Sequence, residues 1–373
     1  MARLEDICSI NMGQSPESSS YNESGEGMPF FQGNADFGEL HPKVRIWCNA
    51  PTKIAECGDV LISVRAPIGA LNIADKQCCI GRGLAALTVN ETVCSPKYLW
   101  YGLECKVDEL NSKGTGSTFK AINKKTLAET EIPLPPLEEQ RRIAVTLDKV
   151  SDLTAKRRAQ LDKLDLLVNA RFVEMFGDTI LNPYGWDEDI LGSVCDVRDG
   201  THESPQYYDA GFPLVTSKNV TGGKIDLTDC SLICETDYNK INERSKVDIG
   251  DIIMPMIGTV GKPVIVNMEP NFAIKNVSLI KFRPNSKVLN IYILALLRSN
   301  YFDTAVLSKI RGGTQKFISL GDIRKLKILV PPIELQKEFA ILVELIQKSK
   351  LTIQQSLDKL EILKKVLMQQ YFG

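Results

Sequence analysis

Two long stretches of the chain place apolar residues at helical spacing. In the first, Ile143, Leu147, Val150, Thr154, Arg157, Leu161, Leu164, Val168 and Met175 follow in steps of four and three, while Asp162 and Lys163 fall on the opposite side. The second repeats the pattern with Phe339, Val343, Ile346, Lys350, Ile353, Leu357, Leu360, Lys364, Leu367 and Tyr371. A Pro pair precedes each, which suits the entry to a first helical turn, and neither stripe contains an interior Pro. The spacing predicts two helices of about forty residues, each roughly 60 Å long.

The two stretches are copies. Pro135-Pro136-Leu137-Glu138-Glu139-Gln140 overlies Pro331-Pro332-Ile333-Glu334-Leu335-Gln336 at an offset of 196, and the same offset carries Leu161-Asp162-Lys163-Leu164 onto Leu357-Asp358-Lys359-Leu360 and Phe176-Gly177 onto Phe372-Gly373. An ungapped offset over such a length marks a rigid element whose length matters. One such stripe alone reads as a bundle helix or a homodimer coil. Two matched stripes in one chain favour pairing with each other, with Thr154, Arg157, Lys350 and Lys364 placed to fix register.

Outside the helices the apolar runs are short and bounded by Gly, Pro, Asn and Asp, the punctuation of strands. In the first block these are Ile7 to Met12, Met28 to Gln32, the buried run after Gly58-Asp59, residues 71 to 75 and residues 84 to 89. Pro96 to Leu110 has helical spacing, so the block is mixed. The second block echoes the first. Leu191 to Cys195 answers Leu4 to Cys8, Gly200 and Ser204-Pro205 answer Gly13 and Ser15-Pro16, Gly250-Asp251 answers Gly58-Asp59, and Gly261 answers Gly69. Residues 41 to 56 and 221 to 249 do not align. The layout is block 1–134, helix 135–177, linker 178–190, block 191–330 and helix 331–373.

Composition narrows the function. An apolar content of 43% supports real cores, no apolar run is long enough to span a membrane, and Met-Ala-Arg-Leu-Glu-Asp lacks the features of a signal peptide. The expectation is a cytoplasmic protein without a membrane partner. Ten scattered cysteines without a C-x-x-C pair, and only His41 and His202 to assist them, argue against zinc and for reduced, buried thiols. The net charge of −1 is uninformative, but residues 305 to 327 carry six basic side chains against one acidic, and residues 109 to 125 carry four against one.

Catalytic motifs are missing. Gly258 to Pro263 lacks the glycine spacing and the Ser or Thr of a P-loop, and Asn182-Pro183-Tyr184 is one proline short of the amino-methyltransferase Asn-Pro-Pro-Tyr and has no glycine-rich cofactor loop upstream. Neither histidine lies near a nucleophile with an orienting acid. Glycine-rich loops at 114–122 and 311–318, by contrast, stand at equivalent places before the two helices, with Thr118, Lys120 and Ile122 landing on Thr314, Lys316 and Ile318. Glycine lets a backbone approach a phosphate, and hydroxyls and lysines donate to it, so the pair points to a repeated ligand such as DNA.

This arrangement resembles the specificity (S) subunits of type I restriction-modification enzymes, over essentially the whole chain. The residues that carry the resemblance are the two Pro-Pro-(Leu/Ile)-Glu-x-Gln segments, the helix ends Met175-Phe176-Gly177 and Tyr371-Phe372-Gly373, the Gly-Asp frames at 58 and 250, Asp199-Gly200-Thr201-His202, and Gly312-Gly313-Thr314-Gln315-Lys316-Phe317-Ile318-Ser319. The first block departs at Gly13-Gln14-Ser15 and at Phe119. The fold so implied is α+β: two mixed α/β target-recognition domains alternating with two long helices that pair as an antiparallel coiled coil, in a pseudo-twofold internal repeat.

The resemblance also implies that each block reads half of a bipartite, asymmetric double-stranded DNA target and that the helices act as spacer. Two modification (methyltransferase) subunits would dock on the helices and supply S-adenosylmethionine-dependent adenine methylation. Two restriction (motor-nuclease) subunits would supply ATP-driven translocation and cleavage. The chain itself would hold no cofactor, metal or catalytic residue. Phosphate positioning then falls to Lys113, Ser117, Thr118 and Lys120 and to Arg311, Thr314, Gln315 and Lys316. Base or backbone contact falls to Gln14, Arg65, Arg82, Thr201, His202, Lys218, Lys262 and Lys275. Two rivals are a two-lobed scaffold that recruits partners through its helices without sequence preference, and an enzyme active as the purified chain.

Overall fold

The computed structural model describes residues 1–116, 120–258, 260–310 and 317–373. The chain forms two compact units, Met1–Arg158 with Gln354–Gly373, and Ala159–Ile353.

In the first unit an antiparallel sheet runs in the order Cys8–Met12, Leu84–Val89, Val60–Ser63, Leu71–Ile73. Val60 to Ser63 is an unbroken buried run because both faces of this sheet are covered. Val60 and Ile62 face a core shared with Tyr98, Leu99, Ile143, Leu147 and Phe372, whereas Leu61 joins Phe31, Cys78 and Ile80 on the other side. That second side belongs to a five-stranded sheet in the order Tyr21–Asn22, Ile46–Cys48, Met28–Phe31, Cys78–Ile80, Ile54–Ala55. Its central pair, Met28–Phe31 and Cys78–Ile80, is parallel. The stretch expected to be helical up to Leu110 breaks at Lys106 into Pro96–Cys105 and Val107–Ser112.

The second unit repeats this plan. Its first sheet has the order Asp196–Asp199, Val277–Lys281, Ile252–Pro255, Val264–Ile265. Its second has Ser231–Ile233, Phe212–Val215, Ala273–Ile274, the last pair again parallel. Helix Asn290–Arg298 takes the place of Pro96–Cys105. Helix Glu235–Ser245 lies in the segment that does not align, and apolar spacing gives no sign of it because its surface is mostly polar.

The long helices span Leu137–Phe176 and Ile333–Phe372, 40 residues each. Within the first unit they run antiparallel, with Phe372 in one core with Ile143 and Leu147 and an Arg158–Glu361 ion pair at 2.8 Å. Within the second they do so again, with Phe172 and Phe176 against Phe339 at 5.6 and 5.4 Å between ring centres and Lys350 paired with Asp165 at 2.6 Å. Of the polar stripe residues, Lys350 thus bridges the helices. Thr154 does not, because its hydroxyl donates to Val150 O of its own helix at 2.8 Å, and Lys364 reaches Glu104 on the short helix instead.

The Pro-Pro motifs acquire a physical reason. Gln140 is wholly buried; its amide donates to Val93 O and Pro135 O at 2.9 and 2.8 Å and accepts from Ser95 N at 2.9 Å. Gln336 does the same with Lys287 O, Pro331 O and Leu289 N at 3.0, 2.8 and 2.8 Å. Each glutamine closes the backbone groups where the short helix begins against the start of the long one. The Gly-Asp turns match as closely: Gly58 and Gly250 sit at φ 93° and 91°, and Asp59 and Asp251 accept from Glu56 N and Asp248 N, both at 2.8 Å. No helix among the described residues is long and apolar enough to cross a membrane.

Candidate nucleic-acid interface

In both units the first sheet strand ends at a glycine pressed against the turn that follows the parallel pair. Gly13 N donates to Leu84 O at 2.9 Å and Gln14 N to Ile80 O at 3.0 Å. Gly200 N donates to Val277 O and Thr201 N to Ile274 O, both at 3.0 Å. A Cβ at Gly13 would stand 2.2 Å from Gly81 O, and one at Gly200 2.3 Å from Ile274 O, so only glycine permits the approach. Gly81 N then donates to Phe31 O at 2.8 Å, and Lys275 N to Val215 O at 2.9 Å. These bonds equate Gln14 with Thr201, Gln32 with Thr216 and Gly81 with Lys275; the turn then runs through Arg82 and Gly83 to Leu84 in the first unit but through Asn276 alone to Val277 in the second. One backbone frame is built twice and dressed with different side chains.

In the first unit the frame opens on a cleft of about 630 Å³, with Phe30 in its wall and Gln32, Arg45, Arg65 and Arg82 around it. Arg45 is tied down by Asp36 and by Ala35 O at 3.0 Å. Arg65 and Arg82 are exposed, and their guanidinium groups make no hydrogen bond or ion pair among the described residues. Arg65 also pairs through its backbone with Ala121, at the base of the glycine-rich loop. That loop is anchored alike in both units, by Ile122 N to Val64 O and Ile318 N to Met256 O, each at 2.9 Å.

The second unit has a smaller hollow of about 190 Å³, lined by Gly200, Thr201, Ser204, Lys240 and Arg244. Buried Asp199 accepts from Arg244 and from His202 Nε2, the latter at 2.9 Å, and His202 Nδ1 lies 2.9 Å from Asn276 Oδ1. Both ring nitrogens face acceptors, which favours the imidazolium. The hydrogen bond to Asn276, then the one to Asp199, hold the His202 pKa above its ordinary value, against partial burial and, less, the Arg244 charge. Lys275 is buried and donates to Ser204 Oγ at 2.6 Å.

Of the residues singled out from sequence, Gln14, Arg65 and Arg82 come to the first frame, and Thr201, His202 and Lys275 to the second. Lys113 is paired with Glu109 at 2.6 Å within its own helix, and the exposed Lys120 accepts from Ala66 N at 3.0 Å through its carbonyl. Lys218 and Lys262 are exposed on turns, the latter at φ 54°. Ser117, Thr118, Arg311, Thr314, Gln315 and Lys316 lie outside the described residues. Sequence reasoning passed over Gln32, Arg45, Asn276 and Arg244. Arg45 and Arg244 sit in the two segments that do not align; Asn276 carried one signal, its place directly after Lys275. Among the described residues no group of His, Cys, Asp and Glu is arranged to hold a metal.

Comparison with known proteins agrees with this duplicated frame. The MjaX specificity subunit of Methanocaldococcus jannaschii, a putative type I restriction enzyme component, is 46% identical over 156 residues, 42% of this chain but only 37% of that relative's length. The MjaIX specificity subunit of the same organism is 28% identical over 77% of this chain and 70% of its own. A crystal structure of a type I restriction-modification system S subunit from M. genitalium covers 100% of this chain and 95% of its own, with a TM-score of 0.61 at 16% identity, a likeness of fold. The model of the type I restriction modification DNA specificity domain matches residues 1–163 and again 183–362. By those two matches, one to each copy of the frame, the chain belongs to the family of type I restriction modification DNA specificity domains.

Proposed function

We propose that this chain is the sequence-reading, non-catalytic subunit of a type I restriction-modification complex in the cytoplasm. Each unit reads one half of a bipartite, asymmetric double-stranded DNA target, and the long helices set the spacing of the halves. The observation that carries this reading is the frame at Gln14 and Gly81 and again at Thr201 and Lys275, repeated in backbone hydrogen bonds and divergent in side chains. Two halves of an asymmetric sequence call for one scaffold and two sets of reading groups.

The helices support the second part of the reading, docking of two modification subunits that carry S-adenosylmethionine. Besides the stripe each uses for pairing, they leave a further set of apolar residues in solvent: Val145, Ile362 and Val366 in the first unit, Leu166, Ile341 and Leu345 in the second. Ile341 with Leu345, and Ile362 with Val366, stand one turn apart on their helices, the spacing at which exposed apolar side chains form a surface for protein contact. Two restriction subunits with ATP complete the complex. The test is mapping of methylated adenines in cells with and without the gene. Loss on deletion of one two-part motif with a fixed gap is the expected result. An unchanged methylome when the gene is expressed with its modification subunit would favour the scaffold reading.

A further inference from the structure

We propose that Arg82 is a base-reading residue and that the half-site of the first unit contains a guanine that it recognises. The inference rests on the DNA-reading function proposed above and goes beyond it to one residue and one base. Arg82 stands in Gly81-Arg82-Gly83, and its backbone is held on every side. Gly81 N donates to Phe31 O at 2.8 Å, Gly83 N to Gln32 O at 3.1 Å and Arg82 N to Ser15 Oγ at 3.2 Å. Gly83 cannot be larger, because a Cβ there would meet Gln32 O at 2.4 Å; one at Gly81 would stand 3.0 Å from Gln32 Cα. From this held backbone Arg82 lines the cleft beside Gln32.

Its neighbours do not occupy it. Arg45 in the same cleft is neutralised by Asp36, whereas the Arg82 guanidinium has no hydrogen-bond or ion-pair partner among the described residues. A planar fork of donors without any acceptor matches one base edge in the major groove, the adjacent N7 and O6 acceptors of guanine. Adenine places a donor where the second acceptor is needed. The corresponding turn of the second unit is one residue shorter, Lys275-Asn276, and carries no arginine. A turn held by a shared frame but differing in length and side chains is where an asymmetric target would be read. Simple phosphate contact needs no such fixed base.

The experiment uses the full chain with its modification subunits in cells that lack other adenine methylation, carrying Arg82→Ala or Arg82→Gln. With Ala, one guanine of the methylated motif is expected to become unspecified, its preference over other bases falling about five- to a hundredfold. With Gln, that position is expected to shift towards adenine. The other half of the motif and the gap stay as in the wild type, which also reports that the variants fold. Weaker binding to all sequences with a salt slope reduced by about one would make Arg82 a phosphate contact and overturn the assignment. An unchanged motif and affinity would remove it from the interface. If the unaltered chain directs no motif at all, the DNA-reading function itself fails, and this assignment with it.

Discussion

At the scale of single residues, the glutamines of the Pro-Pro segments and the histidine of the second frame do most to explain the sequence. Gln140→Leu removes the side-chain partner of Val93 O, Pro135 O and Ser95 N in three part-buried hydrogen bonds, each worth about 1 kcal/mol. The expected loss is roughly 3 kcal/mol, seen as a lower urea midpoint; a midpoint within error of the wild type would show that water or a rearranged loop replaces the amide. His202 adds a dependence on pH. Its pKa is raised above the ordinary 6.5, so the stability gained from the imidazolium beside Asp199 and Asn276, partly offset by burial and, less, by Arg244, is fully present below that value. It is lost as pH rises through the raised folded value. Because the ring is more than half exposed the effect is small. Melting temperatures of the wild type and His202→Gln should converge as pH rises; a constant difference would mean that the ring is not charged in the folded protein.

At the scale of elements, the long helices carry two apolar faces with different duties. One is filled within each unit by Phe172, Phe176 and Phe339, or by Ile143, Leu147 and Phe372. The other is in solvent, with Ile341 and Leu345 60% and 58% exposed and one turn apart. Replacing both by Glu removes no core contact, so folding should be kept while co-purification with the modification subunit is lost. Retained co-purification would move the docking surface elsewhere. The sequence displays both faces at once, and spacing alone does not divide them. Thr154 and Lys364 illustrate this: both lie on the pairing stripe, yet one bonds its own helix and the other the short helix. Which neighbour a stripe meets depends on what the intervening block folds into.

At the scale of the whole chain, two units share one plan and are joined by two helices of equal length. On the proposed reading, in which each unit takes one half-site, helix length becomes a term in target choice. Inserting four residues into each helix, after Arg158 and before Gln354, adds about 6 Å, on the order of one to two base pairs. The methylated motif should keep both half-sequences and gain a longer gap. The same gap in the lengthened protein would mean that the helices do not set the spacing.

Much of this plan is legible in the residue pattern alone. Helix length and register follow from a period of 3.6 and from an ungapped repeat, since a rigid element tolerates no insertion, and the buried strands after the Gly-Asp turns follow from local chain stiffness. The glycines at 13 and 200 are visible as echoes, but not as points where two backbones touch. Spatial neighbours are not legible. Arg82 beside Gln32 and Ser15, and His202 between Asp199 and Asn276, come from parallel strand pairing between segments far apart in the chain. Local residue patterns encode which segments are helix or strand. The groups that converge on one site are decided by packing, which selects among many pairings that the same local patterns allow.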